Sequence, residues 1–288
     1  MNIRAVKKFA IFALVPLAAF TFVLIIPFIN GLIATFTDWD GFKTTKFVGF
    51  DNYAAAFADE RFWETLRFTL GFVVVSVLLV NLIGFLLALL VTIPMRGANV
   101  LRTAFFVPNL IGGVILGVIW QFIFDRALVN MSDNFGWELF QSSWLIEPGT
   151  AFWALIIVTT WQSAGYVMII YVTGIMSIES DVLEAARIDG ASPFRTLVSI
   201  KLPLMMQAFT ISLFLTMRNA FMAYDVNLSL TNGGPYRSTE LISMHVYTEA
   251  FDFGHFGTGQ AKAVVMFIII ALAALTQVTI SKRMEVQR

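Results

Sequence analysis

The chain has 288 residues, 19 basic and 19 acidic side chains, and no cysteine. Zero net charge argues against a nucleic-acid partner, and the absence of cysteine excludes disulfides and thiolate chemistry. Hydrophobic residues make up 58% and charged residues 13%, about half the charged share of a soluble protein, so the chain is read as a polytopic membrane protein.

The first apolar run extends from Phe9 to about Phe36 behind Arg4, Lys7 and Lys8. It exceeds the apolar core of a signal peptide and ends in no small-x-small cleavage site, so it is expected to stay as a membrane helix, kinked at Pro16 and Pro27. The polar and aromatic stretch Thr37 to Glu64, with Trp39, Phe47 and Tyr53, suits a membrane interface. Five further runs fall at about 66–93, 103–124, 151–176, 204–224 and 263–280. Six spans in one transmembrane domain over 1–288 are therefore expected. With the N-terminus inside, eleven Lys and Arg lie in the cytoplasmic pieces (including Arg288) and seven outside, which favours cytoplasmic N- and C-termini. Gly113 and Gly117 form a GxxxG pair, read as a chance occurrence rather than a packing device. His245 and His255 are too few and too separated in sequence for a metal site.

The polar stretch 177–203 interrupts this pattern. Asp181 and Glu184 have capping-box spacing, predicting a helix that starts near Val182. Gly190 suits its C-terminal cap, and Ser192-Pro193 reads as the start of a second helix. Ala185 and Ala186 leave one patch of the first helix flat enough for another surface to approach.

These residues resemble a known pattern. Glu184-Ala185-Ala186, Asp189-Gly190-Ala191 and Ile200-Lys201-Leu202-Pro203 are similar to the EAA loop of ABC-importer permeases, in which that loop is a coupling helix seated in a cleft of the cytoplasmic ATPase. Leu230-Thr231-Asn232-Gly233-Gly234-Pro235 is a turn by its backbone chemistry alone, and it also resembles the permeases of carbohydrate ABC importers. So does the run from Pro108 to Phe124. The resemblance covers nearly the whole chain and is closest to the maltose-type, F-type permease. It implies an all-α integral membrane protein with the type I ABC importer permease fold, in a bacterial cytoplasmic membrane. It also implies a second, similar permease, two cytoplasmic ABC ATPase subunits and an extracytoplasmic sugar-binding protein as partners. Asp181, Glu184, Ala185, Ala186, Asp189, Gly190, Ala191 and Pro203 are the coupling residues on this reading.

No G-x-x-x-x-G-K-[ST], G-x-S-x-G, H-E-x-x-H or C-x-x-C occurs, so no catalytic residue is assigned. ATP and magnesium are expected on separate subunits rather than on this chain. Sugar recognition needs hydrogen-bonding groups facing a cavity, since polar groups facing lipid are costly. Gln162 and Tyr166 are four residues apart and share a helical face. The resemblance carries substrate contacts onto Gln162, Ser163, Tyr166, Asn109, Gly113, Thr216, Ala220 and Ala223, with Asn219 and Arg218 nearby. Asparagines of the family stand here as Ala220 and Ala223, which implies a different sugar or a displaced site. The expected function is ATP-driven, binding-protein-dependent sugar import by alternating access. Alternatives are import of another solute or, against the scarcity of carboxylates in the spans, secondary transport.

Overall fold

The computed structural model describes residues 3–43 and 46–285; Arg288 and the side chains of Arg4, Lys7 and Lys8 lie outside the described residues. The described residues are helical throughout, with one isolated antiparallel bridge, Thr37 to Phe47. Five helices are long and apolar enough to cross a membrane, and a sixth crossing is reached if one bent pair counts as a single span. The all-α class and the span count follow the hydropathy pattern. Within the chain the contacts gather in two compact units.

The first unit comprises 1–62 and 245–267. It opens with α1 (Ile3–Phe20), a π-helical turn over Thr21–Ile25, and α2 (Ile26–Ala34). Pro27 sits at the start of α2. Its missing N–H cannot serve the carbonyl one turn earlier, which accounts for the widened turn just before it. After the loop comes α3 (Asp51–Ala58). The interface aromatics form a small core of their own. Phe36 packs against Phe50 and Tyr53, with ring centroids 5.3 and 5.6 Å away. Asn52 of α3 donates from Nδ2 to the carbonyls of Thr35 and Thr37, at 2.9 and 2.8 Å, closing the loop onto α2. That local aromatic and polar closure is why this segment forms its own unit.

The second unit comprises 63–244 and 268–288. Its elements are most of α4 (Glu60–Val91), α5 (Ala98–Phe106), a 3-10 turn over Val107–Leu110, α6 (Gly113–Phe122), a π-helical turn, and α7 (Leu128–Phe135). The central helix α8 (Pro148–Met176) follows, then α9 (Ser180–Ile188), α10 (Pro193–Thr196), α11 (Leu202–Leu204), α12 (Met206–Phe221), α13 (Asp225–Leu230) and the first half of α14 (Ile242–Tyr247). The C-terminal part of α15 (Phe256–Met284) completes it.

Two spans differ from the hydropathy reading. The third does not run 103–124: the chain breaks over 107–112, and the spanning helix is Gly113–Phe135. Pro108 removes a donor, and Ile111 and Gly112 are extended, so the helix must restart. The fifth span is bent by 68° at Met205, between the segments Pro193–Leu204 and Met206–Phe221. The 16 residues of α12 rise only about 24 Å, short of the roughly 30 Å of hydrocarbon.

Burial orders the second unit into layers. Phe72 and Val73 of α4, Ala154, Leu155, Ile156 and Val158 of α8, and Ala220 and Phe221 of α12 belong to one apolar core. Ala88 and Val91 of α4, Val167 to Val172 of α8, and Met205 and Ala208 next to and in α12 contribute to a second. Between them on the same three helices lie Ser76, Asn81, Gln162, Ser163, Ser212 and Thr216. This layer is held by Asn81, which donates to Thr216 Oγ1 at 2.9 Å and accepts from the Tyr171 hydroxyl at 2.6 Å and from Ser212. Asn81, Thr216, Tyr171 and Ser212 are tolerated at such depth because they satisfy one another, whereas the buried Ser76 hydroxyl has no partner among the described residues.

Candidate functional site

The loop between α8 and α12 keeps part of its predicted detail. Helix α9 spans Ser180–Ile188, with Glu179 at its N-cap and no side chain capping it. The predicted Asp181–Glu184 capping box is therefore not formed; the Ser180 hydroxyl bonds Asp181 instead. Starting two residues before Val182 puts both acids inside the helix, where neither reaches the first amides. The other end is as predicted. Gly190 has φ +74°, and the amides of Gly190 and Ala191 donate to the carbonyls of Arg187 and Ala186, at 3.1 and 3.0 Å. Ser192 Oγ accepts from the Arg195 amide at the start of α10. Ala186 is buried, while Asp181, Glu184, Ala185, Asp189 and Gly190 are exposed, and Ala191 and Pro203 are half-buried.

A second feature lies within the same unit, in the polar layer. A cavity of about 350 Å³ is lined by Asn109, Gly113, Gln162, Ser163, Thr216, Asn219, Ala220 and Ala223, eight of the nine predicted substrate positions. Gln162 and Ser163 stand at the midpoint of α8, so the cavity lies halfway along the most buried of the spanning helices. Gln162 also donates to the Ile111 carbonyl at 3.0 Å, tying α8 to the broken backbone ahead of α6. The Thr216 hydroxyl is engaged by Asn81 and by the Ser212 carbonyl. Tyr166 is the exception. It packs on the second core, beside Phe105 and Val167, and does not line the cavity. Four residues turn the helix roughly 40° past a full circle, which carries Tyr166 toward the second core.

The GxxxG pair, read from sequence as chance, is a packing surface. Gly113 faces Asp225 and Gly117 faces Ser229, so the two glycines of α6 receive two side chains spaced four apart on α13. A β-carbon at Gly117 would lie 1.9 Å from Ser229 Oγ. Arg218 and Asp225, seven residues apart in sequence, belong to different helices, because the chain leaves α12 at Met222 and starts α13 at Asp225. Both line the cavity. Sequence reasoning missed Ser76, Asn81, Thr159 and Ser212. A lone Asn in the apolar run of α4 was the one signal available.

The first unit carries an ionic cluster. Lys262 Nζ, 1% exposed, donates to Asp59 Oδ2 at 2.5 Å and Glu249 Oε2 at 2.7 Å, and lies 3.1 Å from His245 Nε2. His245 is thus not isolated: Asp59, His245 and Glu249 converge within 4.8 Å, around a tethered ammonium. Burial pushes the Asp59 carboxyl up, but the Lys262 hydrogen bond and charge, the Arg61 amide and His245 outweigh it and hold the group below its ordinary value. Glu249 is likewise pushed up by burial and held low by Lys262 and His255. Carboxylates depressed in the folded state add stability above the unfolded value, about 4, and lose it as pH falls through the folded values. Lys262→Met is expected to cost about 3–5 kcal/mol near neutral pH. Thermal unfolding of the detergent-solubilised protein should show the deficit shrinking as pH falls and the orphaned carboxylates take up protons. A deficit independent of pH would contradict this.

Comparison with known proteins decides the family. Residues 80–286 match the family described as binding-protein-dependent transport system inner membrane component. The chain belongs to that family. A relative from Thermoanaerobacterium thermosulfurigenes, the probable starch degradation products transport system permease protein, is 44% identical over 92% of this chain and 90% of its own. The diacetylchitobiose uptake system permease protein of Streptomyces coelicolor is 33% identical over 94% of this chain and 81% of its own. Among solved structures, a bacterial ABC transporter involved in the import of the acidic polysaccharide alginate shares the fold, with a TM-score of 0.81 at 22% identity over 97% of this chain and 98% of that one. As a binding-protein-dependent inner membrane component, the chain is a permease subunit of an ABC-type importer with the type I permease fold, moving its substrate by alternating access.

Proposed function

We propose that this chain is one permease subunit of an ATP-driven importer for an oligosaccharide or related glycoside, of the maltose-type, F-type kind. The observation that carries the reading is the mid-depth cavity, lined by amides and hydroxyls on α8 and α12 and reached by interrupted rather than continuous spans. Irregular backbone at membrane depth is tolerated only where protein buries it or where it lines a cavity, and interrupted helices are the usual builders of transport sites. The names of the starch-product and diacetylchitobiose relatives support a sugar over other solutes. The fold alone does not discriminate, since a methionine ABC transporter shares it at a TM-score of 0.56.

On this reading the chain pairs with a second, similar permease in the cytoplasmic membrane, both termini inside. Two ABC ATPase subunits, which hold ATP and magnesium, dock on α9 through Ala185 and its neighbours. A binding protein delivers sugar from outside. Closure of the ATPase pair moves the hairpin 177–203, and the bundle opens outward; hydrolysis returns it. The ligand and the nucleotide communicate only through differential contacts in the two states.

Ala223→Trp tests the assignment. Ala223 is a half-buried lining position, so an indole there projects into the cavity. Proteoliposomes holding the whole complex should lose sugar uptake by about a hundredfold, equivalent to roughly 2.7 kcal/mol of lost binding. Unchanged uptake in an assembled complex would remove this cavity as the sugar site.

A further inference from the structure

We infer that Arg218 and Asp225 set the charge class of the substrate, so that the cavity accepts a neutral polyhydroxylated molecule and rejects one bearing a carboxylate. The inference rests on the cavity being the sugar site. Among the described residues lining it, these two alone carry formal charge, and they cancel; the other polar members are Ser76, Asn109, Thr159, Gln162, Ser163, Thr216, Tyr224 and Asn219. Placing ionisable groups within membrane spans is costly and is retained where they serve a pathway or partner.

The two charges are not joined by an ion pair. Among the described residues the Arg218 guanidinium donates only to Asn219 Oδ1, at a long 3.3 Å, and both charged side chains are exposed and line the cavity. Asp225 is placed by backbone packing, because a β-carbon at Gly113 would sit 2.7 Å from Asp225 Cβ. The carboxylate therefore stays on that wall while the guanidinium occupies the end of α12. A guanidinium only donates and a carboxylate only accepts. Neighbouring sugar hydroxyls, which do both, satisfy the two together without adding charge. A uronate meets Asp225 as a like charge and Arg218 as a counter-charge, and because those two already cancel it brings one uncompensated charge into a confined site, where its lost hydration is not repaid.

The test is equilibrium binding to the assembled permease–ATPase complex in nanodiscs. The binding protein is left out so that the selectivity measured is that of the cavity. The probes are radiolabelled neutral trisaccharides and their uronate-bearing counterparts. Wild type should favour the neutral series by about a hundredfold. Asp225→Asn should narrow that ratio to about tenfold or less, and Arg218→Gln should weaken the neutral sugars by about tenfold. Because Asp225 packs on α6, the exposed Arg218 gives a second reading that does not depend on that contact. Equal binding of both series by wild type, or a ratio unmoved in both variants, overturns the inference. If Ala223→Trp still abolishes binding in that case, the sugar-site reading stands. Neutral binding that survives Ala223→Trp, or no binding of either series by wild type, removes both.

Discussion

Replacing Gly190 by proline is expected to abolish coupled transport while the membrane-embedded helices remain folded. Gly190 closes α9 at φ +74°, and proline is locked near −65° and lacks the N–H that Gly190 donates to Arg187. The C-terminal cap must unwind, and the direction of α10 relative to α9 is lost with it. No heavy atom lies within 4 Å of a β-carbon built at Gly190, so the penalty is conformational rather than steric. Gly190→Ala therefore isolates the φ cost, about 1–2 kcal/mol, and should reduce transport only in part. Both variants are compared by sugar-stimulated ATPase and uptake in proteoliposomes. Normal coupling in Gly190→Pro would sink the proposed role of the 177–203 hairpin.

Gly165→Ala is the largest stability effect expected of any single methyl group here. A β-carbon at Gly165 would lie 1.8 Å from the Phe105 carbonyl oxygen, 2.5 Å from its carbon and 3.0 Å from Phe106 Cα. All three are backbone atoms, so no rotamer change relieves the clash, and α8 must part from the end of α5. The movement would pull on the Gln162 to Ile111 hydrogen bond three residues away and so deform the cavity. Overpacking of this kind costs about 3 kcal/mol or more. Gly71→Ala is the control, since nothing lies within 4 Å of a β-carbon there, and a helical glycine gains by up to about 1 kcal/mol on becoming alanine. Yield and melting temperature in detergent distinguish the two. An unshifted melting temperature for Gly165→Ala would show that the approach of α5 to α8 is not tight.

The Arg218–Asp225 inference and the coupling proposal fail separately. The first is read from ligand selectivity without nucleotide turnover, the second from ATPase stimulation with the sugar held constant. A permease with intact selectivity and broken coupling is the expected phenotype of Gly190→Pro. The converse is expected of Asp225→Asn.

Local chemistry was legible in the sequence. Hydropathy runs gave the helical class and the number of spans, because twenty apolar residues can be satisfied in lipid only as a helix. Gly190 and Ser192-Pro193 marked their caps because positive φ and a missing donor are properties of single residues. Of the eight positions carried over from the resemblance, seven line one cavity, as does neighbouring Asn219. What the sequence could not determine was set by contacts between distant segments. Tyr166 joins the second core rather than the cavity, and the GxxxG pair became a seat because α13 packs against α6. Lys262 meets its counter-charge in Asp59, 203 positions away. Periodicity and capping depend on neighbours within a turn or two of helix. Which face meets a partner, and which charge meets its counter-charge, depends on long-range packing that no local pattern encodes.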